Sequence, residues 1–488
     1  MAIDFLAIAP ELALTVTALV LLAADLALRG DAKQLVNPIA VLGTLVAIGF
    51  TVVLWGQDRA TFGGQFVADD YAVIFKLLFL GTLLAILGIS WRFFAEGRYF
   101  QGEYYFLLIT SFIGMLVMPS ARDLIVLFVA LETVSIPAFV MAGMRKRDLY
   151  SSEAAIKFFL IGVLSVAFML FGMSLIYGFT GTTDLAGIAA AIEADAAPVP
   201  LLLAAVMLVI VGFAFKVSAV PFHFWAPDTY AGSPMPVAAM LAVASKAAGF
   251  AGLLAVAFIA FEPVADVWAP VLGVLAIITM TMGNLIALQQ RDIIRLLAYS
   301  SVAQAGYMLI PFGLAQPGND VVNQAAIQAV LFYLIAYAVM NIGVFGVAIA
   351  VNRRTGLRSI EDYAGLGARN PLLGGAMAVF LLSLGGAPLT VGLWAKFAIL
   401  QAVAVEITVF GLVLAGFLVI NSVIAFFYYL KVVRLVWIRD AAEGVPTLQP
   451  GINLSGVVGA LMIGTVVLGV LPGLITQGTS IVTLAAGN

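Results

Sequence analysis

The sequence predicts an all-α polytopic membrane protein of about fourteen transmembrane helices, and three observations lead there. Hydrophobic residues fill 63% of the 488 positions and charged residues only 10%, far below the roughly 25% charge that covers a soluble surface; mean hydropathy is +1.13. Apolar runs repeatedly exceed the ~20 residues a helix needs to cross a ~30 Å hydrocarbon core. The runs are continuous, whereas barrel strands alternate apolar and polar residues over ~10-residue segments.

Taken in order, each span is an apolar run closed by a turn-rich or charged stretch. The first, about 5–28, begins in MAIDFLAIAPELALTV; lacking a basic leader and running into a full-length span, it reads as a helix and not as a cleaved signal peptide. RGDAKQ closes it, and the second and third spans follow at about 35–56 and 70–91. After WRFFAEGRYFQG come the fourth, fifth and sixth, at about 103–119, 122–144 and 151–179, with RKRD between the last two. The seventh to tenth cover about 199–226, 235–262, 265–290 and 294–315, and QQRD separates the last pair. The eleventh, about 322–351, ends at NRRTGLRSIEDY; the twelfth to fourteenth lie at about 371–403, 407–438 and 453–477.

Basic residues orient the bundle. Odd-numbered loops hold Arg29, Lys33, Arg92, Arg98, Arg145, Lys146, Arg147, Arg291, Arg295, Arg353, Arg354, Arg358, Arg369, Arg434 and Arg439, and even-numbered loops only Arg59 and Arg122. The odd loops are therefore expected in the cytoplasm and both termini outside. The six remaining basic residues lie within spans, and all are lysine: Lys76, Lys157, Lys216, Lys246, Lys396 and Lys431. Arginine keeps its proton at almost any pH, whereas a desolvated lysine can lose one near neutrality. A bundle that keeps lysine at depth and excludes arginine looks like a protonation device.

The sixth and eleventh spans match without a gap: KFFLIGVLSVAFMLFG from Lys157 and LFYLIAYAVMNIGVFG from Leu331 share Phe158/Phe332, Leu160/Leu334, Ile161/Ile335, Phe171/Phe345 and Gly172/Gly346. Five spans separate the matched positions, an odd number, so the two units must be inverted. This divides the chain into a three-helix segment (1–102), a first repeat of spans 4–8 (103–262), an inverted second repeat of spans 9–13 (263–438) and a C-terminal span (439–488). Each repeat contains one interrupted span. Pro221 lies within Lys216–Trp225, and Gly385, Gly386 and Pro388 precede Trp394 and Lys396. Proline removes a donor and clashes with the preceding turn, and the freed carbonyls must be buried in protein or line a wet cavity. A merely bent helix is the other reading.

Glu132, in LFVALETVSIPAFV, lies about ten residues into its span with no charge nearby in sequence. At that depth an unpaired carboxylate costs ~2.5–3.5 kcal/mol on insertion scales, so it needs a partner, a wet cavity or a proton. Lys216 and Lys246 are equally central, and a Glu132–Lys216 pair is the simplest arrangement that satisfies two of the three charges. Opening that pair would release a proton towards Lys246 and then the deep Lys396; a structural ion pair is the alternative. Lys157 follows Glu153 at i,i+4, the spacing of a helix-surface salt bridge. Lys76 and Lys431 lie near span ends, where long side chains snorkel to the headgroups. His223, the single histidine, is read either as a proton relay or as a packed side chain near the cytoplasmic mouth.

The chain has no cysteine, which excludes disulfides, thiolate metal sites and Cys-ligated iron–sulfur clusters. One histidine argues against a multi-histidine metal site. A net charge of −3 does not suggest nucleic-acid binding. There is no phosphate-binding GxxxxGK[ST] loop and no dinucleotide fingerprint, so energy must come from an ion gradient or a partner.

ALETVSIPAFVMAG around Glu132, AIKFFLIGVLSVAFMLFG from Ala155 and FKVSAVPFHFWAPDTYAGSPMPVAAMLAVASKAAGF from Phe215 resemble the antiporter-like membrane subunits of respiratory complex I, the bacterial NADH:quinone oxidoreductase. QRDIIRLLAYSSVAQAGYML from Gln290 and PLTVGLWAKF from Pro388 extend the resemblance over nearly the whole chain. It implies fourteen helices, two inverted five-helix repeats and broken seventh and twelfth helices around a mid-membrane proton path. Carried over by position, Glu132 pairs with Lys216, Lys157 tunes or feeds it, Lys246 is the central relay and Lys396 the terminal lysine. Lys396, where the M-type subunit has glutamate, and an end some ten residues past the last span, where the L-type continues into a lateral helix, both point to the N-type subunit. The resemblance further implies M- and K-type neighbours, a peripheral arm, and NADH, FMN, iron–sulfur clusters and quinone held by other subunits, with no cofactor in this chain. It places the chain in the bacterial inner membrane. Mrp-type cation/proton antiporters and membrane-bound hydrogenases share the pattern and form the alternative; a structural spacer subunit is a third reading.

Overall fold

A bilayer offers the backbone no hydrogen-bond partner, so each apolar run closes its own N–H and C=O groups in a helix. The computed structural model describes residues 3–96, 101–145, 148–194, 199–356, 358–440, 448, 450–480, 482 and 484. Arg98, Lys146 and Arg147, three of the residues that orient the bundle, lie outside the described residues.

The helices are α1 (Ala9–Ala27), α2 (Val36–Val53), α3 (Asp70–Glu96), α4 (Gln101–Val117), α5 (Leu124–Ala142), α6 (Leu149–Thr180), α7 (Leu185–Glu193), α8 (Val199–Val217) and α9 (Trp225–Gly232). They continue as α10 (Met235–Met240), α11 (Lys246–Ala255), α12 (Ala265–Leu288), α13 (Ile293–Leu309), α14 (Asp320–Thr355), α15 (Leu366–Arg369), α16 (Pro371–Gly385), α17 (Val391–Val405), α18 (Val409–Ile438), α19 (Ile452–Val470) and α20 (Gly473–Ser480). A small antiparallel hairpin, β1 (Arg59–Thr61) and β2 (Phe66–Ala68), links α2 to α3. Asp123, Asp148, Asn370 and Thr408 accept from backbone N–H groups at the starts of α5, α6, α16 and α18, as helix N-caps do.

Among the described residues thirteen helices are long and apolar enough to cross a membrane, against the fourteen expected. The difference lies at 371–405, where α16 and α17 are 15 residues each, about 22 Å at 1.5 Å per residue. Gly386 at φ 93° ends α16, Pro388 cannot supply a ladder N–H, and Leu389 at φ 65° sits in the gap. In the expected seventh span α8 likewise stops at Val217; α9 begins at Trp225, with Ser218 at φ 62° between. The short α7 and the hairpin have no counterpart in the sequence reading. The last apolar run ends at Val470, before Pro472.

Burial separates core from rim. The 235–260 segment is wholly buried, and the most apolar 18-residue stretch of 320–353 is 89% buried, against 22% for that of 452–470 and 28% for that of 409–438. The core is thus α10, α11 and α14, with α14 packed against α3, α13, α16, α17 and α19. The 241–245 segment, just before Lys246, widens into a π-helical turn, a feature common at functional positions because it displaces one residue from the regular ladder.

Candidate functional site

Three lysines predicted at depth are buried, and each ammonium is held by neutral oxygen. Lys216, one residue from the end of α8, donates to Ser135 Oγ of α5 at 2.9 Å. Lys246, first residue of α11, donates to the Ser301 carbonyl at 2.6 Å and reaches Ser301 Oγ at 3.3 Å. Lys396, in α17, donates to the Gly385 carbonyl at 2.6 Å and stands 5.1 Å from the centre of the Tyr307 ring. Their exposures are 2%, 1% and 5%, and among the described residues none of the three makes an ion pair.

Glycines make room for these stems. A Cβ on Gly249 would stand 2.9 Å from Lys216 Cγ, and one on Gly386 would stand 3.1 Å from Lys396 Cδ, at a φ that L-residues rarely adopt. The interruption after α16 also frees the Gly385 carbonyl that Lys396 uses.

The direct Glu132–Lys216 pair expected from sequence does not form. Ser135 lies three residues beyond Glu132 on α5, on the same face, and the lysine meets the serine hydroxyl first. Glu132 keeps an electrostatic interaction with Lys216, while its buried Oε1 has no hydrogen-bond partner. His223 lies in the stretch between α8 and α9, is 3% exposed, and faces the Pro221 backbone. Pro221 lies in the same stretch, where the Val220 N–H turns to Thr279 Oγ1 at 3.0 Å.

Between Lys246 and Lys396 stands α13, with polar residues that the sequence reading passed over. Ser301 accepts from Lys246, and Gln304 is one turn further on. Gln304 accepts from the Tyr333 hydroxyl at 2.5 Å and donates to the Leu384 carbonyl at 3.3 Å and to Tyr429 Oη at 3.4 Å. Leu384 is the chain neighbour of Gly385, whose carbonyl takes Lys396, so polar groups of α13 and the end of α16 lie between the two lysines. Tyr429 also meets Ser300 Oγ at 2.5 Å. The available signal was SSVAQ, three polar residues spaced to share a face within an apolar run. Neutral side chains do not stand out in a search for charge.

Lys157 lies at the charged end of the bundle. Its ammonium meets Glu153 Oε1 at 2.6 Å and Asp228 Oδ2 at 2.7 Å, and the other Asp228 oxygen meets Arg295 at 2.8 Å. Asp228, which the sequence reading did not single out, thereby ties α6 to α13. Glu153, Asp228 and Arg295, with Arg145, Asp148, Asp292 and Arg358, line an open cavity of about 410 Å³.

Elsewhere the chain neutralises its buried cations outright. Lys76, expected to snorkel, is fully buried against Glu11 at 2.8 Å, and Arg122 is buried against Asp69 at 2.5 Å. Snorkelling fails for Lys76 because α1 covers it and brings Glu11 to the ammonium.

The family described as NADH:quinone oxidoreductase/Mrp antiporter, TM, matches residues 121–425. A protein of Streptomyces griseus named NADH-quinone oxidoreductase subunit N 2 is 42% identical over 459 residues, 91% of this chain and 84% of that relative. The chain belongs to the NADH:quinone oxidoreductase/Mrp antiporter transmembrane family. A chain in the structure of respiratory complex I from Thermus thermophilus with bound aureothin is 32% identical; the match covers 98% of this chain and 100% of that one, with a TM-score of 0.77. A chain of the Mrp complex from Dietzia sp. is 20% identical over 98% of this chain and 96% of that one, TM-score 0.80, a likeness of fold. The segment matched to the family contains Glu132, Lys157, Lys216, Lys246 and Lys396, whereas the Glu11–Lys76 pair lies outside it.

Proposed function

We propose that this chain is the N-type membrane subunit of a bacterial NADH:quinone oxidoreductase and that it carries protons on buried lysines. One observation carries the reading. Lys216, Lys246 and Lys396 are each held by a neutral hydroxyl or carbonyl, in a chain that pairs Lys76 and Arg122 with carboxylates. A carboxylate in contact fixes a proton on an ammonium, and breaking such a pair costs ~3–5 kcal/mol. A hydroxyl or carbonyl orients the ammonium and leaves its proton transferable.

Glu132 gates Lys216 electrostatically without touching it, Lys157 feeds that end from the charged cavity, Lys246 is the central relay, and Lys396 is the terminal lysine. His223 is a further candidate carrier because it is buried in the stretch between α8 and α9, close to Lys216 in the chain. The stops after Val217 and Gly385 are read as breaks in the seventh and twelfth transmembrane helices, made by Pro221 and by Gly385, Gly386 and Pro388. These breaks belong to two inverted five-helix repeats, 103–262 and 263–438, with 1–102 and 439–488 flanking them. Both termini face the periplasm and the odd loops the cytoplasm, by the excess of basic residues in those loops.

Redox chemistry takes place in other subunits, which bind NADH, FMN, iron–sulfur clusters and quinone. M- and K-type membrane subunits and the peripheral arm are the partners, and quinone reduction drives the proton transfers from outside this chain. The deciding experiment uses the intact complex carrying Lys216→Ala or Glu132→Ala. Both variants should assemble, as seen on a native gel, yet lose NADH-driven proton uptake in proteoliposomes. Wild-type pumping by both would end the lysine-relay reading.

A further inference from the structure

Four cations at one end of α18 have no ion-pair partner among the described residues. Arg291, Lys431, Arg434 and Arg439 line a cavity of about 410 Å³ whose lining includes one carboxylate, Glu361. Among the described residues none of the four makes an ion pair. The neighbouring charged cavity is different: Arg145, Arg295 and Arg358 there each have an aspartate partner. Lys431, Arg434 and Arg439 also lie beyond residue 425, outside the segment matched to the family.

A second, apolar groove of about 540 Å³ shares Lys431 and Arg434 with the first and continues along α18 past Phe427, Leu430, Trp437 and Ile438. Its walls are open: Phe427 is 66% exposed, Trp437 50% and Ile438 73%. Phe427, Lys431, Arg434 and Ile438 follow helical spacing and share one face. The groove is therefore an apolar track that ends in unneutralised positive charge at the edge of the membrane.

We propose that these two cavities form one binding site for an anionic phospholipid of the cytoplasmic leaflet. Its phosphodiester would sit among Arg291, Lys431, Arg434 and Arg439, where guanidinium forks match phosphate oxygens. An acyl chain would lie along Phe427 and Leu430. Charge complementarity selects the headgroup, because the cytoplasmic leaflet carries the anionic lipids. The continuous apolar track selects a lipid over a free phosphate ion. The site rests on the membrane orientation given above and is independent of the lysine path.

The test uses the intact complex in phosphatidylcholine bilayers with a minor fraction of phosphatidylglycerol bearing a photoreactive acyl chain. Peptide mapping should find the label within residues 427–438. The triple variant Lys431→Gln/Arg434→Gln/Arg439→Gln should shift half-saturation by about a hundredfold, at roughly fivefold per cation. Should that variant fail to assemble, Arg439→Gln alone should shift it about fivefold. Equal labelling by photoreactive phosphatidylcholine, or no shift in the variants, overturns the proposal. Inorganic phosphate competing as well as the lipid reduces the site to a phosphate site and overturns the lipid assignment. An unlabelled wild-type segment, as expected if a neighbouring subunit covers the groove, overturns it as well.

Discussion

Replacing Gln304 by leucine removes the polar group that stands between Lys246 and Lys396 while nearly preserving volume. The substitution leaves two buried groups without a partner: the Tyr333 hydroxyl, which donates to Gln304 at 2.5 Å, and the Leu384 carbonyl, which accepts from it at 3.3 Å. Tyr429 keeps Ser300 at 2.5 Å. Each stranded group costs about 1–3 kcal/mol, so the single variant risks assembly. Adding Tyr333→Phe removes one of the two, leaving about 1–3 kcal/mol. If proton transfer passes along this bridge, a gap of the same 1–3 kcal/mol in the barrier slows it by about 5- to 150-fold, since 1.36 kcal/mol is tenfold. The assay is NADH-driven acidification of proteoliposomes holding the intact complex, with turnover followed by NADH oxidation and assembly by native gel. An assembled Gln304→Leu/Tyr333→Phe complex with unchanged turnover and unchanged protons per NADH would refute the bridge.

Two further substitutions separate structural from mobile charge. Glu11→Gln should destabilise the assembled protein by about 3–5 kcal/mol, because it leaves Lys76 buried and uncompensated, whereas Glu11→Leu/Lys76→Leu should be close to neutral or stabilising; thermal unfolding of the complex in detergent reads both. Asp228→Asn should shift the unfolding midpoint little, since partly exposed pairs contribute below ~1 kcal/mol. It should nevertheless slow proton uptake severalfold, because it cuts the link from Lys157 to Arg295; equal uptake rates would remove Asp228 from the path.

Most of the helices were legible because a bilayer permits few alternatives. A run of apolar residues of spanning length has to be a helix, and the described ends fall within a few residues of the turn-rich stretches. The stops after Val217 and Gly385 were also visible, since Pro221, Gly386 and Pro388 act on the backbone locally. What the sequence hid was partnership. Glu11 and Lys76 are 65 positions apart, on helices that become neighbours only in the bundle, so Lys76 looked like a snorkelling anchor. Asp228 lies just beyond a predicted span and looked like an ordinary loop acid. Ser301 and Gln304 carry no charge, and a search guided by charge passes over them. The Glu132–Lys216 contact fails for a subtler reason: a one-turn offset along α5 gives the lysine to Ser135.

That offset has a physical consequence. In a low-dielectric core an ion pair in contact is strong but static, since parting the charges costs several kcal/mol. A carboxylate one turn from the lysine still biases its charge but does not hold its proton through a direct bond. Under the proposed mechanism Lys216 is gated and not clamped: the lysine is oriented by Ser135, the bias comes from Glu132, and the stem packs where Gly249 has no side chain. The same logic governs Lys246 and Lys396, where the oriented partner is a backbone carbonyl. A carbonyl accepts a hydrogen bond but takes no proton at accessible pH, and neither does an amide, so under the proposed lysine relay the Gln304 amide serves to orient the hydroxyls of Tyr333 and Tyr429 between the two lysines. This is why Gln304 and Tyr333, and not a further acid, are the residues whose loss should break the line.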